Sequence, residues 1–287
     1  MITKSRFWSF YIITVAYILA IAAAILTYKF LDLEQKWLKI LLADIVATII
    51  IFAFSVGFKN SSIYDPYWSI QPIIIVIAMC LNCHYFNLSR ILMVAIVCVW
   101  GLRLTANWAY TFKNLCDTQD WRYVMLKEKT RAFYPLVNFF GIHLFPTLVV
   151  YACVLPIIYV FNYSIKLNLF SIAFLGISIL AVILQTVSDI QMHTFKKKDG
   201  NGFIRVGLWK YSRHPNYLGE ILLWWGIALA IVVAVPARWY LAFGALINTL
   251  MFLFFSIPVA DKHQARKAGF KEYKKQTRIL LPIKKIK

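Results

Sequence analysis

The sequence predicts an all-α protein that crosses a lipid bilayer several times as a helix bundle. Hydrophobic residues make up 61% of its 287 residues and charged residues 15%, and the mean hydropathy is +0.68. A soluble domain with a large core carries more surface charge than this. A membrane-spanning helix needs about 20 consecutive apolar residues, and the chain contains eight candidate segments. We therefore predict a polytopic integral membrane protein.

The candidate spans follow one another with short connections. In chain order they cover residues 7–30, 37–58, 70–83, 91–112, 136–161, 167–190, 218–235 and 239–259. The first begins after a basic segment, but its apolar run is too long for a signal peptide and no small-residue cleavage site is evident. The third is the shortest, so we predict seven or eight transmembrane helices.

Basic residues concentrate in alternate connections between the spans. Most of the 31 Lys and Arg lie in the N-terminal segment, at Lys59, in loops 113–131 and 196–213, and in the tail after residue 259. Because cytoplasmic loops of membrane proteins carry the excess of Lys and Arg, both termini are predicted to be cytoplasmic. The net charge of +19 then reflects membrane orientation, and we expect the basic tail to contact anionic lipid rather than nucleic acid.

The five cysteines lie mostly in apolar stretches. An odd number in such surroundings predicts free, buried thiols rather than a disulfide framework. Apart from Cys80-Leu81-Asn82-Cys83-His84, which has no room around it for a haem-burying domain, the His and Cys residues form no cluster with ligand spacing, so we expect no metal site.

A polar turn precedes the seventh span. It reads Gly207-Leu208-Trp209-Lys210-Tyr211-Ser212-Arg213-His214-Pro215-Asn216-Tyr217-Leu218-Gly219-Glu220. Pro215 disfavours helical angles at His214, so an irregular turn is expected there, with Asn216 opening the next helix. At membrane depth, non-helical backbone is tolerated only where protein or a wet cavity satisfies its polar groups. The turn is therefore predicted to line a binding site.

The ionisable residues within predicted spans include Asp44, Arg103, Asp189 and Glu220. Such residues cost roughly 2.5–3.5 kcal/mol each at the membrane centre. Asp189 shares a helix face with Gln185, and with Glu220 it flanks the basic loop. This arrangement predicts a polar site just inside the cytoplasmic edge of the membrane. Asp44 has two open explanations, an interhelical hydrogen bond or a functional role.

Several motifs together resemble the steroid 5-alpha-reductase superfamily, in particular its largely uncharacterised, mostly microbial branch. In the C-terminal half they are Gln185-x-x-Ser188-Asp189, the turn from Gly207 to Glu220, and Trp224-Trp225-Gly226. Upstream they are Asn60-Ser61-Ser62-x-Tyr64-Asp65-Pro66-Tyr67-Trp68, Trp100-Gly101-Leu102-Arg103-Leu104 and Asp120-Trp121-Arg122-Tyr123. Reductases of this family bind NADPH within the helix bundle and transfer its hydride to a carbon–carbon double bond conjugated to a carbonyl.

The resemblance implies a set of site residues. The NADPH-binding residues would be Gln185, Asp189, Lys196, Arg205, Trp209, Tyr211, Ser212, Arg213, His214, Asn216, Tyr217, Glu220, Tyr273 and Arg278. The family's substrate-polarising Glu and Tyr on early spans have no clear counterpart here. The candidates in the corresponding region are Asp65, Tyr67, Trp68, Gln71 and Arg103. No G-x-G-x-x-G follows a predicted strand, so any nicotinamide site is not of the Rossmann type.

The chain contains no linker, repeat or low-complexity segment, so residues 1–287 are predicted to form one membrane domain. Within it, the resemblance distinguishes N-terminal helices (1–59), substrate-side helices and their loop (60–134), and a C-terminal cofactor-binding region (135–287). The cytoplasmic pieces 113–134, 191–217 and 261–287 can converge on one face. The loop is expected to turn at residues 199–202, and the last piece to form a basic amphipathic helix ending near Pro282.

Two other functional classes remain open. The Arg-His-Pro-x-Tyr-x-Gly turn also resembles that of isoprenylcysteine carboxyl methyltransferase, which binds S-adenosylmethionine. A channel or scaffold without catalytic activity is the third possibility. For a reductase, a flat sterol, a polyprenoid or an enoyl lipid would all suit an apolar cavity with a polar end. The membrane would be the bacterial inner membrane or, in a eukaryote, the endoplasmic reticulum, and the sequence leaves the oligomeric state open.

Overall fold

The computed structural model describes residues 4–83, 87–163, 165–199 and 202–285. These residues are mostly helical and contain no strand beyond one isolated β-bridge. Eight helical stretches within them are long and apolar enough to cross a membrane. The predicted all-α, multi-pass membrane fold is thereby confirmed. The cytoplasmic location of the termini stays a prediction.

The helices agree closely with the predicted spans. The first four are α1 (Arg6–Phe30), α2 (Lys36–Gly57), α3 (Tyr67–Leu81) and α4 (Leu88–Thr111). They are followed by α5 (Trp121–Thr130), α6 (Tyr134–Leu136), the π-helical Val137–Leu144 and α7 (Phe145–Asn162). The remainder are α8 (Leu169–Asp199), α9 (Pro215–Val232), α10 (Phe243–Met251), the π-helical Phe252–Ser256, α11 (Ile257–Gln264) and α12 (Phe270–Gln276).

Three details differ from the sequence-based expectation. The third span, with the short helical turn before it, begins at Ser61 and so reaches membrane-spanning length. The loop expected at 113–131 contains α5, whose N-terminus is capped by the Asp120 side chain. The tail helix α12 ends at Gln276 rather than near Pro282, because Thr277 adopts extended angles. Within the turn expected at 199–202, residues 200 and 201 lie outside the described residues.

The chain divides into two compact units. The first comprises Met1–His84 and Trp100–Ile158, and the second comprises Tyr85–Val99 and Tyr159–Lys287. These boundaries fall within α4 and α7, so they do not coincide with the segments expected from the family resemblance. That functional division stays a prediction.

Small residues let the first two helices of the first unit approach closely. Ala16 and Ala20 of α1 and Ala47 of α2 are buried in one apolar cluster. Close backbone approach through small residues is how membrane helices associate, since lipid offers no hydrophobic driving force between them. The Tyr17 hydroxyl also donates a hydrogen bond to the Ile63 carbonyl at 2.8 Å. This packing fixes the helical turn that leads into α3.

Helices α8 and α9 form the closest pair of the second unit. Gly219 and Gly226, seven residues apart on α9, both face α8. A Cβ at Gly226 would lie 2.1 Å from Ser178 Oγ, and one at Gly219 would lie 2.8 Å from the Ala181 carbonyl oxygen. The Ser178 hydroxyl donates to the Leu223 carbonyl at 2.9 Å. The two backbones are therefore in contact, which sets the distance between the polar residues described below.

Candidate functional site

A buried carboxylate lies between α8 and α9 at the start of α9. Gln185 Nε2 donates to Glu220 Oε2 at 3.2 Å, and Trp224 Nε1 donates to Glu220 Oε1 at 2.8 Å. The three side chains are buried. Gln185 and Glu220, both implied as cofactor residues by the family resemblance, are thus hydrogen-bonded to each other.

The loop before the turn is tied to α8. The Leu208 amide donates to Gln191 Oε1 at 2.9 Å, and Trp209 Nε1 donates to the Ser188 carbonyl at 3.1 Å. Gly207 adopts a positive φ of 59°, and a Cβ there would lie 2.4 Å from the Gln191 side chain. Glycine is therefore required at this position. Asp189 is half-buried on α8, one turn beyond Gln185.

Arg213 and His214 both bind Asp261 of α11. Arg213 Nε lies 3.3 Å from each Asp261 oxygen, and His214 Nε2 lies 3.0 Å from Asp261 Oδ1. Lys274 Nζ of α12 lies 3.1 Å from Asp261 Oδ2. Arg213 Nη1 also donates to the carbonyls of Lys274 and Thr277 at 3.3 and 3.1 Å. The turn, α11 and the tail thus meet at one carboxylate.

The tail pairs with the turn through its backbone. The Arg213 and His214 amides donate to the carbonyls of Arg278 and Ile279 at 3.1 and 3.2 Å, and the Arg278 amide donates to the Tyr211 carbonyl at 2.9 Å. Ser212 Oγ adds bonds to tail carbonyls, one of them at 2.7 Å. The segment after α12 therefore runs beside the turn and is hydrogen-bonded to it.

The Tyr273 hydroxyl fastens α12 to the same turn. It donates to the Trp209 carbonyl at 2.5 Å and approaches the Ser212 carbonyl at 3.2 Å. Burial raises the pKa of Tyr273 to about 12, so its hydroxyl stays protonated and remains a donor at neutral pH. Tyr273, which the family resemblance implies as a cofactor-binding residue, thus fixes the tail helix to the turn.

Two polar atoms near the turn are buried without a hydrogen-bond partner among the described residues. They are Asn216 Oδ1 in the first turn of α9 and Arg278 Nε in the tail. Buried polar groups in native proteins are paired as a rule. A ligand that carries both an N–H donor and an acceptor oxygen would satisfy these two atoms.

Positive charge gathers at the end of α8 and the start of the tail. Burial lowers the pKa of Lys267, and the positive charge of Lys196 lowers it further. Lys267 Nζ donates to the Gly202 carbonyl at 2.5 Å, and the Arg205 guanidinium lies 4.3 Å from the centre of the Phe203 ring. Clustered cations of this kind suit a phosphate group.

The remaining predicted cofactor residues are aromatic. Tyr217 stacks on His214, with ring centres 5.1 Å apart and an interplanar angle of 7°. Its other neighbour is Phe252, 4.8 Å away. Tyr211 is half-buried beside Lys210. These rings form an apolar wall next to the polar turn.

The first unit contains a separate buried polar group around Asp44. The Tyr67 hydroxyl donates to Asp44 Oδ1 at 2.8 Å, and Gln71 Nε2 donates to Asp44 Oδ2. Thr48 Oγ1 lies 3.5 Å from the Tyr67 oxygen and 3.2 Å from Thr147 Oγ1. This assembly of one acid and one phenol can donate a proton or a hydrogen bond to a carbonyl oxygen.

Asp65 belongs to a different cluster of the same unit. It accepts a hydrogen bond from the Tyr123 hydroxyl at 2.7 Å. Nearby, Asp120 forms a salt bridge of 2.7 Å with Arg122, and its amide donates to Ser62 Oγ at 2.9 Å. These contacts fasten the start of α5 to the segment before α3. Asp65 therefore has a structural role in holding α5.

Trp68 and Arg103 lie on neighbouring helices. The Trp68 ring packs against Trp100, with centres 5.9 Å apart, and Arg103 is half-buried one turn further along α4. A Cβ at Gly101 would lie 2.5 Å from the Ser69 carbonyl oxygen, so α3 and α4 are in backbone contact here. Of the five substrate-side candidates, Tyr67 and Gln71 are the two that share Asp44.

The profile of the DUF1295 family, described as a protein of unknown function, matches residues 51–277. The chain belongs to this family. DUF1295 proteins are steroid 5-alpha-reductase-like, which agrees with the resemblance found in the motifs. The narrower assignment to a mostly microbial branch stays a prediction.

Two curated proteins are similar in sequence to part of this DUF1295 protein. An uncharacterized protein of Schizosaccharomyces pombe is 27% identical over 223 residues, covering 64% of this chain and 61% of that protein. The 3-oxo-5-alpha-steroid 4-dehydrogenase 1 of Macaca fascicularis is 31% identical over 110 residues, covering 38% of this chain and 39% of that protein. The chain thus matches less than two thirds of the length of either relative. No solved structure matches it significantly.

The structure of this DUF1295 protein shows the partners of two acidic residues that the sequence could not assign. Asp261 stands in a helix with one neighbouring Lys and no recognisable motif, so sequence reasoning passed over it. Asp44 carried a signal, a carboxylate within a predicted span, but its partners could not be assigned. No group of three or more His, Cys, Asp or Glu side chains suited to a metal occurs among the described residues.

Proposed function

We propose that this protein is a membrane-embedded, NADPH-dependent reductase of a double bond conjugated to a carbonyl in a lipophilic substrate. Its family relation to steroid 5-alpha-reductase-like proteins supports a membrane oxidoreductase of this type. The observation that carries the proposal is the buried Glu220, bound by Gln185 and Trp224, together with Asn216, whose Oδ1 has no hydrogen-bond partner among the described residues. An ionisable side chain within a membrane span is costly and marks a functional site by default.

The cofactor would be held by side chains of the second unit. Asn216 Oδ1 and the Glu220 carboxylate would accept N–H groups of the nicotinamide carboxamide, with Gln185 and Asp189 completing that end. Lys196 and Arg205 would hold the 2'-phosphate that distinguishes NADPH from NADH. Bound NADPH would supply the hydride.

The substrate carbonyl would be polarised by the Tyr67 and Asp44 pair. Reduction at the β carbon builds negative charge on the carbonyl oxygen, and a fixed hydroxyl donor stabilises that charge in a water-poor site. Tyr67 can donate its hydrogen bond to this oxygen if Asp44 holds the proton, or Asp44 can supply the proton through it. Asp44 would then take the role for which the sequence offered no clear counterpart, with Gln71 orienting it.

A ligand-induced stability shift tests this proposal. A ligand that binds only the folded state stabilises it by about 2.7 kcal/mol at a hundredfold excess over its Kd. We expect NADPH to raise the Tm of the purified protein, NADH to raise it less, and S-adenosylmethionine to leave it unchanged. Asn216→Ala should abolish most of the NADPH effect. Stabilisation by S-adenosylmethionine, with both nicotinamides inert, would instead indicate a methyltransferase.

Turnover tests the reaction class. We expect NADPH oxidation with a 3-oxo steroid whose double bond is conjugated to the carbonyl, or with an isoprenoid or enoyl lipid of the same functional group. The matched saturated ketone is the control and should not be reduced.

We propose that the host membrane is the bacterial inner membrane or the endoplasmic reticulum, with both termini cytoplasmic. Cysteine labelling of Lys4→Cys and Lys284→Cys variants can test the location of the termini.

A further inference from the structure

Asp261 is the carboxylate on which the turn and the tail converge. Its side chain is 7% exposed, and those of Arg213 and His214 are 5% and 8% exposed. Lys274, with 54% of its side chain exposed, reaches the same carboxylate from α12. Asp261 of α11 thus binds three basic side chains from two other parts of the chain, the turn before α9 and the tail helix α12.

The donors of Arg213 are directed at protein groups. Its Nε and Nη2 bind Asp261, and its Nη1 binds the carbonyls of Lys274 and Thr277. A guanidinium has five N–H donors in a fixed plane, and this plane is already aligned with α11 and the tail. The ring of His214 is likewise fixed, by Asp261 on one side and by stacking on Tyr217.

We infer that Asp261 is a positioning residue that holds the tail and the turn together, and that Arg213 and His214 act through this anchor instead of touching the dinucleotide. The second half of this inference rests on the proposed function. The physical reason is charge: in a poorly hydrated site, Arg213 without Asp261 is a buried cation whose partner is lost. The turn is then no longer held in its hydrogen-bonded position against Thr277 and Arg278, and Asn216, which follows the turn, is displaced as well.

The first experiment needs no cofactor. In Asp261→Asn, hydrogen exchange at the amides of Arg213, His214 and Arg278 should accelerate by about tenfold or more, the effect of one lost buried partner. The interior of α9 is the internal control and should keep its protection. Glu272→Gln removes the same charge from an exposed site on α12 and should leave the tail protected. Unchanged protection in Asp261→Asn would overturn the inference.

A milder variant covers the case in which Asp261→Asn does not fold. Lys274→Met removes only the exposed contact to Asp261 and leaves Arg213 and His214 in place. Because Arg213 and His214 still bind Asp261, the amides of Arg213, His214 and Arg278 should keep protection close to that of the wild type. Acceleration of about tenfold or more at all three amides would contradict an anchor centred on Arg213 and Asp261.

The second experiment separates positioning from contact with the ligand. Asp261→Asn and Arg213→Lys should each raise the Kd for NADPH by about tenfold or more. The double variant should bind no more weakly than the weaker single variant, because both changes break one interaction. Additive losses would mean that Arg213 touches the dinucleotide and would overturn the second half of the inference. If NADPH does not bind the wild type, the proposed function fails, but the exchange experiment still decides the role of Asp261.

Discussion

Glu220→Gln is the change whose outcome the structure specifies most fully. The carboxylate accepts one hydrogen bond from Gln185 at 3.2 Å and one from Trp224 at 2.8 Å. Glutamine offers one acceptor oxygen and one NH2 group, so only one of the two donors keeps its acceptor. Trp224 lies one turn away on the same helix and should keep it. The new NH2 group then faces the NH2 group of Gln185.

The expected loss follows from that mismatch. A buried donor without an acceptor costs about 1–3 kcal/mol, whereas hydrogen bonds between membrane helices average about 0.6 kcal/mol. We therefore expect Glu220→Gln to lower the free energy of unfolding by about 1–3 kcal/mol, with the larger share from the unpaired donor. Unfolding by sodium dodecyl sulfate, followed by tryptophan fluorescence, measures this difference.

A swapped variant tests the reasoning. In Gln185→Glu with Glu220→Gln, the carboxylate moves to α8 and accepts from the new amide, while Trp224 keeps its acceptor. Most of the lost stability should return. NADPH-dependent stabilisation should not return, because the carboxylate has left position 220. Wild-type stability in Glu220→Gln, or no recovery in the swapped variant, would refute the assigned hydrogen-bond pattern.

Three further outcomes are expected. Tyr67→Phe removes the phenol that binds Asp44 and should slow enone reduction by about a hundredfold or more without changing the Kd for NADPH; an unchanged rate would remove Tyr67 from the reaction. Gly226→Ala places a Cβ against Ser178 and should destabilise the protein by about 1–3 kcal/mol, measured by thermal unfolding. Asn248→Leu should raise the Tm of the ligand-free protein, since Asn248 Nδ2 is buried without a partner among the described residues and an unpaired amide costs about 1–3 kcal/mol.

Local patterns were enough to predict several features of the site. The spacing of Gln185 and Asp189 indicated one helix face, and Pro215 indicated where the helix after the turn begins. Both are consequences of backbone geometry over a few residues, which short sequences encode directly. The same holds for the eight spans, whose apolar length is a property of the chain itself.

Long-range partners were not predictable in this way. Asp261 lies 48 residues from Arg213 in sequence, and Asp44 lies 23 residues from Tyr67, with no periodicity connecting either pair. The tail was expected to continue as a helix, yet Thr277 turns extended so that its neighbours can pair with the turn. Local propensity gave no sign of this pairing, because its hydrogen bonds form only when the two segments meet.

The sequence by itself determined the membrane class, the number of spans and the polar motifs, because hydropathy and helix period act within each segment. The tertiary structure decided which polar side chains bind each buried carboxylate. Gly219 and Gly226 bring α8 and α9 into contact, and only then do Gln185 and Glu220 lie within hydrogen-bond distance. In a medium with little water, a buried charge must find its partner within the protein, and that partner is set by packing rather than by position along the chain.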